Sequence, residues 1–424
     1  MLVLILLILM AALGMWTLRG GLAAWRHVTQ MPDTPLPADS TPDAGKVSIV
    51  AFALRDEENL SGYVDTLLAQ EYADLEIVLV CDASAEATAM LSEKFESVPN
   101  LHITFIPPGS HNLSRHKLAQ TIGIKAATGD VVVITDTSVW PGSTRWIPNL
   151  VAPLAQSHTA ASLGYIHPVF TDYQGGSKWY RQFDHVCDTA EWMGAAYEGA
   201  PFRADGRNLA FRRKLFFKVK GYASTINLMD GDDDMFVELL AGYGTCVPVV
   251  VPESFLYTRW GEQTDRLHVD LKERYAFTRR FLNNAPHYSR SLTSWAQWLM
   301  PLGALLSVAL CMPRLIASLG AWLPSAAKAA ETLTRDINSL TDLMGYDLIP
   351  RTLFGACAGT AAAIGIYLWF AFAEISLYRR TASCLEAVRL FWSVPLFMLW
   401  RPIGNFLFRL NHHSTRKSHF TWQR

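Results

Sequence analysis

Short apolar runs alternate with amphipathic segments between residues 47 and 135. The apolar runs predict strands, and the segments between them predict helices. Alternation of this kind is typical of βαβ units with a mainly parallel, buried sheet, so the pattern predicts an α/β fold. The predicted strands are Val47–Ala53, Leu75–Cys81, His102–Ile106 and Val131–Thr135, and the predicted helices are Leu60–Gln70, Glu86–Phe95 and Leu113–Ala127.

Three longer apolar segments carry no charged side chain: residues 1–18, 291–313 and 352–373. Each approaches the length that a helix needs to cross a hydrocarbon core of about 30 Å. The first segment lacks a basic start and a small-residue cleavage site, so we expect an uncleaved anchor rather than a signal peptide. The pattern therefore predicts a membrane protein.

The distribution of basic residues predicts the orientation of these segments. Arg19 and Arg26 follow the first segment, which puts the next domain in the cytoplasm. The second segment then leads out and the third leads back in, with Arg379 and Arg380 at its cytoplasmic end. The stretch Leu390–Trp400 is short and predicts an interfacial helix, with a fourth span as the alternative.

These observations divide the chain into four parts. Residues 1–26 form an N-terminal anchor, and residues 27–46, rich in Pro, Asp, Ser and Thr, form a linker. Residues 47–285 form the cytoplasmic α/β domain, and residues 286–424 form a membrane region with two transmembrane helices and an interfacial helix. Such a protein would lie in the inner membrane of a bacterium.

Composition excludes several classes of function. The net charge is only −1, which gives no electrostatic footprint for nucleic acid. The six cysteines form no CxxC pair, so we expect neither a zinc site nor a disulfide framework. Neither GxGxxG nor GxxxxGK[ST] occurs, which argues against a dinucleotide or P-loop enzyme.

Two groups of acids are the candidates for chemistry. Asp136 follows the predicted strand Val131–Thr135, and the run Gly231–Asp234 contains three adjacent aspartates. Open α/β sheets place ligands at strand ends, and a carboxylate can act there as a base or a metal ligand. The acids therefore indicate an enzyme.

Several motifs in order resemble family 2 glycosyltransferases. The resemblance covers about residues 47–282 and implies a GT-A-like, Rossmann-type fold, mainly parallel, that binds a nucleotide sugar and transfers its sugar with inversion. Its pieces are VSIV followed by AFALRDEEN, Gln70–Tyr72, Glu76–Ser84, GIKAATGDVVVITD at 123–136, Gly206–Arg213 and GDDDMF at 231–236.

The resemblance assigns the acidic run to acid–base chemistry. Asp233 is the candidate base that takes the proton of the acceptor hydroxyl, with Asp232 and Asp234 as alternatives if the run is shifted by one. Adjacent acids repel one another and raise one pKa, which suits a base. The alternative is that the three acids only favour the dipole of a following helix.

The resemblance also implies residues that contact the nucleotide sugar. Their alternative roles are those of helix caps or solvated surface charges. The candidates are Arg55, Glu57, Asp82, Lys117 and Asp136.

The Asp-x-Asp motif of the family reads Asp136-Thr137-Ser138 here. Its final Asp usually helps to hold Mg²⁺ or Mn²⁺, whereas a serine hydroxyl is a weaker, neutral ligand. Three outcomes stay open: Asp136 suffices for the cation, basic residues replace its charge, or the enzyme is impaired.

Processive members of the family carry Gln-x-x-Arg-Trp, where this chain has Leu271–Tyr275. Only Arg274 matches, and together with Asn208 it is a candidate for the acceptor or diphosphate region; a surface charge is the alternative for Arg274. The incomplete motif and the few spans predict addition of a single sugar.

The function that follows is an inverting hexosyltransferase-like enzyme. Its donor is a nucleoside-diphosphate sugar, most often a UDP-sugar in such relatives, and its acceptor is a lipid-linked or cell-envelope glycan. An impaired relative that serves as a binding or scaffold subunit is the alternative. A transporter is disfavoured because the apolar segments lack the buried charges of a transport pathway.

Overall fold

The computed structural model describes most of the 424 residues. Residues outside the description are 38–39, 41, 54–59, 83–91, 99, 107–113, 171–174, 176, 229, 262–263, 283–284, 319–323, 345–349, 351 and 413–424, together with the side chains of 264–265, 285–289, 340–344 and 411–412.

A seven-stranded sheet organises the α/β part, in the order β3-β2-β1-β4-β8-β6-β9. Strands β3, β2, β1 and β4 are parallel, β8 is antiparallel to both β4 and β6, and β6 is parallel to β9. The sheet is thus mixed but mainly parallel. Its strands are β1 Val47–Ala53, β2 Leu75–Cys81, β3 Leu101–Phe105, β4 Val131–Asp136, β6 Thr159–Gly164, β8 Leu209–Arg212 and β9 Thr245–Val249.

A second, three-stranded sheet has the order β5-β10-β7. Strand β10 is antiparallel to β5 and parallel to β7. These strands are β5 Val139–Pro141, β7 Ile166–Val169 and β10 Leu256–Arg259.

Helices flank the sheets. They are α2 Ala23–Val28, α3 Leu60–Leu68, α4 Arg115–Ala126, α5 Trp146–Val151, α6 Lys178–Tyr197, α7 Arg213–Lys218, α8 Asp234–Ala241 and α9 Thr264–Thr278.

The central strands are buried on both faces because helices cover the sheet. All seven residues of β1 are buried, and β1 pairs with β2 on one side and β4 on the other. Continuous runs of Val, Ile and Ala satisfy this environment, which explains why these strands show no alternation of polar residues. The registers bring Ala53 opposite Cys81 and Phe52 opposite Asp136, so the carboxyl ends of the three strands meet at one edge.

The sequence pattern predicted this region closely. The four strands were predicted within one residue at either end, and α3 and α4 within two. The predicted helix Glu86–Phe95 lies mostly outside the described residues.

The expected linker packs on the α/β domain along part of its length. Helix α2 covers its first residues, and the Arg145 guanidinium donates to the carbonyls of Pro37 and Ser40 at 3.0 and 3.1 Å. The backbone N–H of Leu36 donates to Asn149 Oδ1 at 2.9 Å. Composition predicted only a linker, and these hydrogen bonds attach it to the α/β domain.

The chain divides into two compact units. One unit comprises 24–286, 380–389 and 406–424, and the other comprises 1–23, 287–379 and 390–405. The four-part layout expected from the sequence stays a prediction.

The described residues contain three helices long and apolar enough to cross a membrane: Leu2–Gly21, Arg290–Ser318 and Leu353–Cys384. The first contains α1 Leu2–Trp16. The second contains the end of α10 Ala285–Ala296 and all of α11 Leu299–Ser318, and the third is α13 Leu353–Cys384. The sequence did not predict helix α12 Pro324–Met344. Helix α14 Ser393–His412 contains most of the stretch expected to be interfacial, from Ser393 to Trp400, and is not among the three apolar helices.

A buried ionisable side chain lies directly beyond the third charge-free segment. Helix α13 continues beyond the charge-free residues 352–373 and includes Glu374, whose side chain is buried. Gln297 Nε2 donates to Glu374 Oε1 at 2.9 Å. A buried ionisable group in a span is costly unless it is paired, and this amide provides the partner.

Candidate active site

Functional side chains gather at the carboxyl edge of the parallel strands. Asp82 directly follows β2, and Asp136 is the last residue of β4. Because β8 is antiparallel to β4, the segment before it, 205–208, reaches the same edge. The topology therefore brings together residues that are far apart in sequence, at the position where open α/β sheets bind ligands.

The acidic run lies at the start of helix α8. Gly231 adopts a φ of +95°, a conformation that favours glycine, immediately before the acids. Asp233 is the N-cap of α8, and its Oδ1 accepts from the Asp234 N–H at 2.7 Å. All three aspartates are nevertheless buried, which capping alone does not require.

Asp232 is held as an anion by three side chains. His116 Nδ1 lies 2.8 Å from Asp232 Oδ2, Gln120 Nε2 donates to the same oxygen at 3.2 Å, and an Arg274 Nη lies 3.2 Å from Oδ1. Burial opposes ionisation of Asp232, but Arg274 and His116 outweigh it and hold its pKa below the ordinary value.

Asp233 has the opposite electrostatic balance. Its Oδ2 accepts from the same Arg274 guanidinium and, at 3.4 Å, from the backbone N–H of Gly206. Gly206 allows this approach because a Cβ there would lie 3.2 Å from that of Asp233. Burial raises the pKa of Asp233, Arg274 opposes the rise, and the charges of Asp232 and Asp205 reinforce it. A carboxylate with a raised pKa is a better proton acceptor.

Asp234 faces the protein interior. Thr278 Oγ1 donates to its Oδ2 at 2.7 Å, and Arg203 Nε lies 4.0 Å from its Oδ1. Burial, followed by the charge of Asp233, raises the pKa of Asp234 to about 7. Its hydrogen bond to α9 indicates a structural role, so the geometry favours Asp233 among the three candidate bases.

Asp136 is bound locally by Ser138. The N–H and hydroxyl of Ser138 both donate to Asp136 Oδ1, at 2.8 and 2.5 Å. Arg207 Nη1 donates to Ser138 Oγ at 3.2 Å, while its Nε and Nη2 donate to the Asp205 carboxylate at 2.9 and 2.8 Å. Burial lowers the pKa of Arg207, but Asp205 outweighs burial and keeps the guanidinium charged.

These residues do not form a divalent-cation site by themselves. Asp136 provides one carboxylate and Ser138 a neutral hydroxyl, and the positive charge of Arg207 lies against that hydroxyl. No group of three His, Cys, Asp or Glu side chains with metal-binding geometry occurs within the described part of the chain. Mg²⁺ and Mn²⁺ prefer several oxygen ligands, so this set is poor in donors.

The expected nucleotide residues have different placements. Asp82 forms a two-point ion pair with Arg115, whose Nε donates to Asp82 Oδ2 at 2.9 Å. Both side chains keep part of their surface exposed, at 19% and 33%. Arg55 and Glu57 lie outside the described residues.

The assignment of Lys117 to the nucleotide is corrected by the structure. Lys117 is fully buried, and its ammonium donates to the carbonyls of Thr225, Leu228 and Asp230 at 2.7, 3.2 and 2.8 Å. All three of its N–H donors are used, so none is left for a phosphate. Lys117 instead fixes the loop that precedes the acidic run.

Asn208 also has a structural role and not the expected contact with acceptor or diphosphate. It is fully buried, and its Oδ1 accepts from Trp146 Nε1 at 2.9 Å. Its Nδ2 donates to the carbonyls of Tyr165 and Ser254 at 2.8 and 3.3 Å. The structure places Arg274, by contrast, directly against the acids.

Sequence reasoning missed four residues of the site. His116 and Gln120 face Asp232 one turn apart on α4, and Asp205 and Arg207 pair beside Ser138. The spacing of His116 and Gln120 indicates that they share one face of a helix, but no nearby residue indicates that this face contacts Asp232.

Comparison with known proteins finds similarity to one family of enzymes. Residues 48–223 match the family model described as glycosyl transferase family 2. This part of the chain is similar to that family. The matched segment runs from the second residue of β1 to beyond β8 and includes the edge that carries Asp82 and Asp136, and its fold is GT-A-like.

A curated relative is the glucosyl-dolichyl phosphate glucuronosyltransferase of Haloferax volcanii. It is 25% identical over 186 residues, which cover 42% of this chain and 56% of the relative. The match thus spans little more than half of that protein.

Solved structures with similar chains include the Pyrobaculum calidifontis mannosyltransferase PcManGT in complex with GDP-Man and Mn²⁺. It is 16% identical, has a TM-score of 0.44, and the match covers 85% of this chain and 99% of that one. TarS of S. aureus, residues 1–349, is 13% identical with a TM-score of 0.38, and the match covers 80% and 90%.

Proposed function

We propose that this protein is a membrane-anchored, inverting glycosyltransferase that adds one sugar from a nucleoside-diphosphate sugar to an acceptor. The observation that carries the proposal is Asp233, a buried carboxylate with a raised pKa, held by Gly206 and Arg274 beside the strand edge of a family 2 domain. Asp82 and Asp136 at that edge are the donor-side residues of the proposal.

In the proposed reaction, Asp233 takes the proton of the acceptor hydroxyl as its oxygen attacks the anomeric carbon of the donor. The new glycosidic bond forms while the bond to the diphosphate breaks, and the nucleoside diphosphate leaves with the electron pair. A single displacement of this kind inverts the anomeric configuration. Asp232 stays ionised and positions Arg274, which in turn orients the Asp233 carboxylate.

Positive charge close to the departing diphosphate would come from Arg207. Its Nη1 faces Ser138 next to Asp136, whereas its other donors are bound to Asp205. A guanidinium suits phosphate oxygens because its planar donors can bind two of them. A divalent cation held by Asp136 would supply additional positive charge.

We propose a UDP-sugar donor and a lipid-linked or cell-envelope glycan acceptor. The three apolar helices support membrane location, which confines the enzyme and a lipid acceptor to one surface. The Haloferax relative is named for an acceptor that is a lipid-linked sugar. The proposal includes the domain layout above, with the α/β domain on the cytoplasmic side of a bacterial inner membrane.

Donor turnover by the purified full-length protein tests the proposal. UDP- and GDP-sugars would be screened for stabilisation by thermal shift, with and without Mn²⁺, and then for hydrolysis or transfer. In Asp233→Asn we expect turnover to fall by about 10²–10⁴-fold, the usual contribution of a general base. Donor binding should persist in this variant.

Asp65→Asn is the matched control, since Asp65 is exposed on α3, which precedes β2. It should keep wild-type turnover. Equal turnover in Asp233→Asn and wild type would refute Asp233 as the base. Donor binding without any turnover in the wild type would favour the alternative, a binding or scaffold subunit.

A further inference from the structure

A recess opens between β7, α6 and the segment that follows α13. It has an empty volume of about 300 Å³, part of it open to solvent. Its enclosed cavity volume is about 50 Å³, so the recess holds one edge of a ligand that extends into solvent. All of its lining residues belong to the α/β unit.

Polar atoms with no hydrogen-bond partner belong to side chains of α6 that line this recess. They are Gln182 Oε1 and His185 Nε2. The Gln182 side chain is 9% exposed, so its unpaired oxygen is a costly group unless something binds there. Such orphaned atoms at a recess indicate a ligand, since native proteins satisfy most buried polar atoms.

The recess offers several acceptors beside the donors of the Tyr165 hydroxyl and the Gln182 amide. The other ring nitrogen of His185 is hydrogen-bonded to the backbone of Ile166. Burial lowers the pKa of His185 to about 4. A neutral imidazole that donates through one nitrogen accepts through the other. His167 likewise points Nδ1 at the carbonyl of Leu385 at 3.2 Å, which leaves its Nε2 as an acceptor, and Glu386 adds a carboxylate.

This chemistry suits a ligand with several hydroxyl groups, which both donate and accept hydrogen bonds. None of the described residues that line the recess is Lys or Arg, so phosphate would find no cation there. Aromatic rings stand beside the acceptors: the ring of His185 lies 5.7 Å from that of Tyr165 and 5.7 Å from that of Trp260. Aromatic faces and acceptors together suit a sugar, whose ring has apolar faces and a polar edge.

The position of the recess connects it with the active site. Asn208 Nδ2 donates to the carbonyl of Tyr165 at 2.8 Å, and the charge of Asp205 acts on His185. Glu386 follows the end of an apolar, membrane-length helix, at Cys384, by only two residues. Two extended residues span at most about 7 Å, so Glu386 stays close to that helix end.

We propose that this recess binds an uncharged sugar of the acceptor through its hydroxyl groups, with Gln182 and His185 as the recognising residues. The assignment rests on the proposed transferase function for its biological role. Binding of a sugar in the recess can be measured without that activity.

Saturation-transfer NMR on the full chain in lipid nanodiscs tests the proposal. The probes are glucose, mannose, N-acetylglucosamine and their disaccharides, with inorganic phosphate and choline as an anion and a cation for comparison. We expect at least one neutral sugar to bind, and neither phosphate nor choline to displace it. Gln182→Leu and His185→Phe should each lower the affinity for that sugar by about tenfold or more. This is the loss expected when hydrogen bonds to a bound hydroxyl are removed.

Gln156→Leu is the matched control, since Gln156 is exposed and away from the recess. It should bind the sugar like wild type, and thermal unfolding would verify that all variants are folded. Where transfer can be assayed, Gln182→Leu should raise the acceptor KM and leave the donor KM unchanged.

The proposal fails if no neutral sugar binds, if the two recess variants bind as well as Gln156→Leu, or if phosphate or choline displaces the sugar. If a sugar binds in a Gln182-dependent way but the protein turns over no donor, the proposal of a sugar-binding recess is supported and the proposed glycosyltransferase function is contradicted. Donor turnover without this binding would do the reverse.

Discussion

The imidazole of His116 and the carboxylate of Asp232 form an ion pair that joins helix α4 to the acidic run, with Nδ1 and Oδ2 2.8 Å apart. Burial lowers the pKa of His116, but the charge of Asp232 outweighs it and raises the pKa above the ordinary value. The stabilisation is therefore fully present below the unfolded pKa of about 6.5 and is lost as the pH rises through the folded pKa.

From this pair we predict a pH-dependent loss of stability in His116→Gln. Glutamine can donate a hydrogen bond but carries no charge, so the loss should be larger at pH 6 than at pH 9. Since about a third of the His116 side chain is exposed, we expect about 1 kcal/mol or less. Thermal unfolding of the purified protein across this range measures it. His158→Gln, at an exposed site, should show no such trend, and a loss independent of pH would contradict the charge assignment.

Asp234 should destabilise the folded protein at high pH. Its pKa is raised to about 7, so folding favours the protonated form, and stability falls as the pH rises from the unfolded pKa towards 7. Asp234→Asn keeps an acceptor for Thr278 and removes the charge. We predict a gain relative to wild type that grows by about 1–3 kcal/mol between pH 5 and pH 8.

Unfolding midpoints at the two pH values measure this gain. Asp65→Asn, at an exposed site, serves as the control and should gain nothing. If the difference in stability between Asp234→Asn and wild type were the same at both pH values, Asp234 would not be the group that titrates.

Lys117 should be required for stability and not for donor binding. Replacing it with Met leaves the carbonyls of Thr225, Leu228 and Asp230 without their shared donor. We predict a loss of about 2–5 kcal/mol in the free energy of unfolding. The affinity of folded protein for UDP, measured by calorimetry at low temperature, should stay unchanged. Lys125→Met, at an exposed position of the same helix, should change neither. If Lys117→Met bound UDP more weakly and had normal stability, Lys117 would be a nucleotide-binding residue after all.

The positions of the central strands could be predicted from the sequence because burial on both faces determines their composition. A central parallel strand such as Val131–Asp136 is covered on both faces, and its apolar run shows this directly. The edge where Asp82 and Asp136 lie then follows from strand direction. These parts of the site could be located without coordinates.

The partners of the acidic run could not be located in this way. Lys117 and Asn208 belong to motif-like segments, yet their side chains point into the protein, and only packing decides between a ligand and a backbone carbonyl. His116 lies 116 residues from Asp232, so no local spacing could join them. Side-chain direction at this distance is a property of the folded chain.

Ser138 should determine how strongly a divalent cation assists donor binding. Its hydroxyl is a weak ligand that already donates to Asp136 and accepts from Arg207, so we expect Mn²⁺ to improve the affinity of the wild type for UDP only modestly. Ser138→Asp adds a second carboxylate beside Asp136 and should lower the Mn²⁺ concentration that gives half of the effect. Calorimetric titration of UDP at several Mn²⁺ concentrations measures this, with Ser138→Ala as the control that adds no ligand. A large Mn²⁺ effect in Ser138→Ala, equal to that in Ser138→Asp, would show that position 138 does not contact the cation and that the ligands lie elsewhere.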